Sequence, residues 1–170
     1  MNPTQSLMIT EAKGLIFVWN GPEAESQFLN GQDRTLWSLR RGGKKIALVT
    51  TASSVIFRHF LEQAEVQPMR FDTIFAAEEV GPYIADGQPM TMAAVDAFLR
   101  LNLLQNQIVL VGDTPANMQE AASAKIGFIA VASDAQREKL LQAGAAPGQI
   151  IPDLKDLPDF LGIIRNSVAM

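Results

Sequence analysis

The stretch GLIFVWNG, residues 14–21, decides how the rest of the chain is arranged. Apolar residues between turn formers predict a strand buried on both faces, and the Asn-Gly-Pro at 20–22 turns the chain where that strand would end. In a parallel sheet, ligands bind beyond the carboxyl ends of the strands. Val18, Trp19 and Asn20 therefore occupy the position where chemistry is expected, yet none of these three side chains can ionise.

Length and charge indicate an ordinary globular protein. The chain has 170 residues, 48% of them hydrophobic, and a formal net charge of −4. This length predicts a single domain with a substantial core. The acidic balance argues against nucleic acid as a partner, and the one cluster of cations, at 40–45, is interpreted as the end of a helix.

The counts of two residue types exclude several kinds of site. The chain has no cysteine, which rules out disulfides, thiolate nucleophiles and cysteine-based zinc sites, and is compatible with a reducing cytoplasm. Its single histidine, His59, cannot build a histidine cluster and is read as a solvated helix residue. No apolar run approaches the roughly 18 residues that span a bilayer, and the first residues lack the order of a signal peptide. We therefore predict a cytoplasmic protein without a membrane partner.

Strand and helix patterns alternate along the chain. Strands are predicted within 14–21 and at 45–50, 73–76, 107–111, 128–132 and 148–151, and helices at 23–41, 51–65, 91–104, 115–125, 134–142 and 157–165. Residues 78–88 are predicted to be a polar connection that buries little. Such alternation indicates an α/β fold with three layers, a doubly wound, mostly parallel sheet of about five to six strands. We expect one domain over 1–170, with a tail at 1–13.

Common nucleotide-binding and signalling patterns are missing after the first strand. A dinucleotide site would need G-x-G-x-x-G there, and the sequence from Asn20 supplies only one glycine, Gly21. A P-loop and the acidic residues of receiver domains are also missing.

Four segments in order resemble the motifs of the haloacid dehalogenase superfamily of phosphatases, in its phosphoglycolate phosphatase-like branch. LIFVWNG at 15–21 is similar to the strand ending in D-x-D-G, and IALVTT at 46–51 to the strand ending in Thr or Ser. DGQPMTMAAVDAFLRLNL at 86–103 resembles the stretch with G-K-P-x-P, and VGDTPANMQEAASAKIGFIAV at 111–131 the G-D-T-P-x-D segment. The resemblance covers about 14–157 and implies the corresponding fold.

The resemblance also implies where catalytic groups have been replaced. The family's nucleophile and metal ligand corresponds to Val18, and its acid and base to Asn20, which cannot shuttle a proton. The family's lysine corresponds to Gln88, and its last Asp to Asn117. Each of these four substitutions replaces a charged side chain with an uncharged one, so the site as a whole loses its charges together.

Two positions keep the family's residues. Thr50 and Asp113 are retained, and Asp113 is the one weak candidate for a metal ligand. Magnesium binds mainly through carboxylates, so no cofactor is expected unless the protein is active, in which case it would be Mg²⁺. As a separate hypothesis, Thr50, Gly112 and Thr114 could hold a phosphate or another anion.

Each of these residues also has a purely structural interpretation. Val18 would be ordinary core, Asn20 a turn residue, and Gln88 and Asn117 surface amides. Asp113 would cap the helix that begins near residue 115. By the same reasoning, Thr50 would hydrogen-bond to loop backbone, and Trp19 and Trp37 would pack in the core or the cleft wall.

The stretches between motifs, 22–44 and 57–88, are too short for a sizeable cap domain, so the cleft is expected to be open. The hypothesis that follows is a catalytically inactive phosphatase-fold protein that acts through binding, scaffolding or regulation, with a protein partner or by self-association. The alternative is an active, Mg-dependent phosphomonoester hydrolase of the capless type. The apolar residues at 80–84 are a candidate interface.

Overall fold

A single parallel sheet of six strands organises the computed structural model, which describes residues 11–24 and 26–163. The strands, in chain order β1 to β6, are Gly14–Val18, Lys45–Val49, Thr73–Phe75, Ile108–Gly112, Gly127–Val131 and Ile150–Ile151. Their order across the sheet is β3-β2-β1-β4-β5-β6. The strand β1 therefore lies in the middle, between β2 and β4, and all five of its residues are buried.

Seven α-helices are found among the described residues. In chain order, α1 to α7, they are Asp33–Arg41, Ser54–Ala64, Ala77–Ala85, Met92–Arg100, Pro115–Ala124, Asp134–Gln142 and Leu157–Phe160. Buried residues of α1, α2 and α7 form one hydrophobic cluster with one face of the sheet, and those of α4, α5 and α6 form a second cluster on the other face. The three-layer, doubly wound fold predicted from the sequence is confirmed.

Local signals explain where the helices beside the sheet's carboxyl edge begin. The Ser53 hydroxyl accepts a hydrogen bond from Ile56 N at 3.2 Å and caps α2. The Thr114 hydroxyl accepts one from Asn117 N at 3.0 Å and caps α5, whose first residue is Pro115. Both caps satisfy backbone donors that a helix start leaves without partners.

Two predicted elements are wrong. The helix expected over 23–41 begins only at Asp33, because the residues before it turn around the Gln27 side chain, which donates to the carbonyl of Gly21 at 2.9 Å. The polar connection expected over 78–88 contains α3. Glu79 stabilises the start of α3 by accepting the Ala76 amide at 2.8 Å, and Val80 is buried, so the segment contributes to the core.

The last predicted helix is also shorter than expected, since α7 ends at Phe160 and the end of the predicted range lies outside the described residues. Between β1 and β2 the described residues form only turns and α1, which is too little for a sizeable cap domain. Within the described ranges, every helix is too short or too polar to span a membrane.

Candidate functional site

The carboxyl ends of β1 and β4 bring Asn20 and Asp113 together. The two strands are paired with Phe17 opposite Val111, so the residues that follow each strand leave the sheet side by side. Helix α5 starts directly after this turn and places Asn117 over the same point. The sequence separation of Asn20 from the other two residues exceeds 90 positions, so the fold alone creates this cluster.

These three side chains form a closed hydrogen-bond network. Asn20 Nδ2 donates to Asp113 Oδ1 at 2.8 Å and to Asn117 Oδ1 at 2.9 Å, and Asn117 Nδ2 donates back to Asn20 Oδ1 at 3.0 Å. The Asp113 backbone amide also donates to Asn117 Oδ1, at 3.1 Å. The two asparagines thus satisfy each other, and the site is built largely from neutral amides.

Asp113 is buried at the centre of the network. Its exposed fraction is 2%, and burial raises the pKa of its carboxyl above the ordinary value. Hydrogen bonds from Ser26, Asn20 and Gln136 act in the opposite direction, because they stabilise the carboxylate. The desolvation of the charge outweighs them, so the ionised form of Asp113 is less stable in the folded protein than in water.

We expect this carboxyl to make stability depend on pH in an unusual direction. A pKa raised on folding means that the folded state binds the proton more tightly, so the free energy of unfolding falls as the pH rises from 3.8 through the folded pKa. The variant Asp113→Asn lacks this carboxyl, so its free energy of unfolding should not show the fall. The stability of the variant relative to wild type should therefore increase with pH across that window. Urea denaturation at a series of pH values measures the free energy of unfolding of both proteins. Asp86→Asn, which replaces an exposed carboxyl, is the control. A wild-type curve parallel to that of Asp113→Asn would contradict the expectation.

A cavity of about 470 Å³ opens beside the network. Polar and charged groups from three parts of the chain line it: Asn20, Glu23, Asp113, Thr114, Gln136 and Lys139. The cavity lies at the crevice where ligands of doubly wound sheets bind. It is the best candidate for a functional site in the described part of the chain.

Val18 and Thr50 do not face this cavity. Val18 is fully buried and belongs to the hydrophobic cluster that contains Ile16 and Val49. Thr50 is also fully buried, and its hydroxyl accepts a hydrogen bond from the Ala52 amide at 3.1 Å. Val18 is therefore a core residue, and the Thr50 hydroxyl bonds to loop backbone. These are the placements that the structural interpretation of each residue predicts.

Gln88 is placed away from the network. It is exposed and lines a separate small cavity with Tyr83, Asp86 and Asp96. Its backbone amide donates to the Tyr83 carbonyl at 2.9 Å, which ties it to the end of α3. Asn117, by contrast, is only 4% exposed, so it is not a surface amide.

Two backbone amides at the start of α5 have hydrogen-bond partners within the protein. The Thr114 hydroxyl accepts the Asn117 amide, and Asn117 in turn accepts the Asp113 amide. An added Cβ on Gly112 would lie 2.6 Å from Asn117 Oδ1, so this glycine allows the close approach of the asparagine. Of the residues suggested as an anion cradle, Gly112 and Thr114 therefore serve the internal network, Thr50 bonds to loop backbone, and the Asp113 carboxyl would repel an anion.

Sequence reasoning missed Ser26 and Gln136 as partners of Asp113. Gln136 lies in the first turn of α6, where it also accepts the Ser133 amide at 3.4 Å in a capping box. The pattern S-x-x-Q at 133–136 was visible, but it indicates only a helix start. Ser26 lies in the turns before α1 and has no local signal that would mark it as part of a site.

A second, apolar groove of about 710 Å³ lies beside the cleft, between α2 and the turns after β1. Trp19 forms its inner wall, stacked on Phe60 with ring centroids 4.7 Å apart and held by a 2.7 Å hydrogen bond from its indole to Gln27 Oε1. Ile56 and the exposed His59 line the groove as well.

Trp37, the other tryptophan, is not core, because it is 41% exposed.

The residues present do not fit a divalent metal ion. In the described residues, no group of three or more histidine, aspartate or glutamate side chains is arranged to hold one. Asp113 is the single carboxyl of the hydrogen-bond network, its pKa is raised, and the neighbouring oxygens of Asn20 and Asn117 already accept hydrogen bonds. Magnesium prefers several hard, charged oxygen ligands, which this site lacks.

A family model for haloacid dehalogenase-like hydrolases matches residues 16–131, about two thirds of the chain. The chain belongs to this family. The match includes β1, β4 and α5, which carry Asn20, Asp113 and Asn117. No match was found among curated proteins.

Several solved structures have the same fold. The cobalt-bound deoxy-D-mannose-octulosonate 8-phosphate phosphatase (YrbI) of Haemophilus influenzae is 14% identical over 91% of this chain and 92% of its own, with a TM-score of 0.58. A Listeria monocytogenes protein of uncharacterised activity is 21% identical over 89% and 98%, with a TM-score of 0.59. A Lactobacillus delbrueckii protein assigned to the phosphoglycolate phosphatases is 21% identical over 79% of this chain, which spans only 53% of that protein's length (TM-score 0.58).

Proposed function

We propose that this member of the haloacid dehalogenase-like family is catalytically silent and acts through binding, with a protein partner or a second copy of itself. One observation carries the proposal: Asn20, Asp113 and Asn117 satisfy one another at 2.8–3.0 Å in the place where family phosphatases need ionisable groups. A site whose polar atoms are paired internally has little left with which to bind metal or phosphate.

The proposal rests on chemistry as well as geometry. Phosphoryl transfer in this family begins with attack by a carboxylate, and the corresponding residue, Val18, is apolar and buried among other apolar side chains. An asparagine at position 20 can donate a hydrogen bond but cannot pass a proton to a leaving group or take one from water. The nucleophilic attack and the proton transfer therefore both lack the side chain that they require. The absence of cysteine fits a reducing cytoplasm as the compartment.

The test is a phosphatase screen of the purified protein with generic phosphomonoesters, with and without Mg²⁺. We expect no turnover above a buffer blank in either condition, and no difference between wild type and Asp113→Ala. Because Asp113→Ala removes the one carboxyl of the network, it reports whether any residual hydrolysis comes from this cleft. Hydrolysis that needs Mg²⁺ and is lost in Asp113→Ala would overturn the proposal.

That outcome would instead support the second candidate, an active Mg-dependent hydrolase of the capless type. The retention of Asp113 and Thr50 at the family's positions favours this candidate, and so does the phosphatase activity named for the Haemophilus influenzae relative. It would need a nucleophile from outside the family's usual position, since Val18 cannot serve.

A further inference from the structure

Three cations lie in the segments at the amino-terminal edge of the sheet, opposite the cleft, and a fourth lies two helical turns away on α1. Lys13 precedes β1, Lys44 precedes β2, and Arg34 and Arg41 lie on α1, which runs back towards this edge. We call these four residues together with Trp37 the basic face. Because β1 separates Lys13 from Asn20, the lysine end of the basic face is about 20 Å from the cleft.

Helix α1 presents an exposed aromatic ring between two cations. Arg34, Trp37 and Arg41 are spaced by three and four residues, so they share one side of the helix, and all three are exposed. The Arg41 guanidinium lies over the Trp37 ring, 5.0 Å from its centroid. An apolar surface flanked by positive charge is thereby available to a partner.

The lysines extend the positive charge to the sheet edge. Lys44 Nζ donates to the Ala12 carbonyl, which brings its charge next to Lys13. Burial lowers the pKa of Lys44, and the nearby positive charge of Lys13 lowers it further. The fold thus holds two like charges close together, an arrangement that a bound anion would stabilise.

Among the described residues, none of the four cations forms an ion pair with a carboxylate. The ion pairs there are Arg40 with Asp72 at 2.8 Å and Arg70 with Asp33 at 3.0 Å, and neither involves a cation of the basic face. The four cations contribute +4 to a formal net charge of −4, so the rest of the chain carries −8. The part of the chain outside the basic face is therefore net acidic.

We propose that the basic face binds an acidic peptide segment of a protein partner, one that carries an apolar side chain to pack on Trp37. A short segment can place its carboxylates on these four cations without meeting the acidic remainder of the surface. A nucleic acid carries a phosphate charge at every nucleotide, so a strand long enough to bind would also meet the negative surroundings. This inference is independent of the cleft and holds whether or not the protein hydrolyses phosphoesters.

The test uses a short peptide of glutamates interrupted by leucines, titrated into the full-length protein and followed by calorimetry and tryptophan fluorescence. The comparison ligands are the same peptide with glutamine in place of glutamate, and an oligothymidylate of equal charge. The variant is Arg34→Glu/Arg41→Glu. The matched control, Arg58→Glu/Arg100→Glu, makes the same charge change at exposed arginines of α2 and α4. Circular dichroism confirms that both double variants are folded.

We expect the acidic peptide to bind wild type and the control alike, to bind Arg34→Glu/Arg41→Glu at least about tenfold more weakly, and to lose affinity as salt is added. The fluorescence change should disappear in Trp37→Phe. Equal binding of the glutamine peptide, equal losses in both double variants, or tighter binding of the oligothymidylate would each overturn the proposal.

Discussion

The variant Val18→Asp/Asn20→Asp/Asn117→Asp should gain a divalent metal site and measurable phosphatase activity, whereas wild type should have neither. The substitutions at Asn20 and Asn117 place carboxylates beside Asp113, where the amide network now lies, and Val18→Asp adds a carboxylate at the buried end of β1. The three carboxylates at positions 20, 113 and 117 would repel one another without a cation, so Mg²⁺ should bind and stabilise the variant. Since a general acid alone supplies about 10²- to 10⁴-fold in rate, the gain should be at least about 10²-fold over wild type.

Val18 is fully buried, so an aspartate there risks unfolding the protein. The double variant Asn20→Asp/Asn117→Asp avoids that risk and tests the metal site separately from the chemistry. It should bind Mg²⁺ and gain thermal stability with it, but it should not hydrolyse phosphoesters. Asn20→Ala/Asn117→Ala is the matched control, because it breaks the same hydrogen bonds without adding charge. Equal responses of these two variants to Mg²⁺ would contradict the expectation.

Replacing Trp19 with alanine should cost far more stability than the same change at Trp37. Trp19 is 4% exposed, stacks on Phe60 and packs against Phe57 with ring centroids 5.3 Å apart. Its removal leaves a large cavity and deprives Gln27 of a hydrogen-bond donor, so we expect a loss of about 3–5 kcal/mol. Trp37 is largely solvated, and its loss should cost about 0.5 kcal/mol or less.

Urea denaturation of the two single variants measures this difference, and Trp37→Ala serves as the control for Trp19→Ala. Similar losses of stability in both variants would show that Trp19 does not anchor the wall of the apolar groove. The expected result would also explain why the groove beside Trp19 keeps its shape, because the indole is fixed by two rings and a hydrogen bond.

The fold could be predicted because the strands are recognisable from the local sequence pattern. Each long strand is an apolar run ended by glycine or polar residues, and helix 134–142 was predicted with its exact bounds. The errors fall where local signals conflict with packing. Gly81 and Pro82 indicate a loop, yet Pro82 lies inside α3, where the burial of Val80 outweighs the breaker residues.

The site was predictable only in part. Asn20, Asp113 and Asn117 could be brought together from the resemblance, since Asn20 and Asp113 follow strands and Asn117 lies in the first turn of the next helix. Gln88 was placed with them by motif alignment, but its backbone is bonded to the end of α3 and its side chain lies in another cavity. Ser26 and Gln136 carry no motif, and only the tertiary fold brings them to Asp113.

Calorimetric titration of the wild-type protein with Mg²⁺ tests the account most directly. A cleft whose one central carboxyl is buried and whose amides are mutually paired should give no saturable heat of binding, beside a clear isotherm for Asn20→Asp/Asn117→Asp. A saturable isotherm for wild type that disappears in Asp113→Ala would show that the cleft still holds a metal, and would contradict the claim that its chemistry has been neutralised.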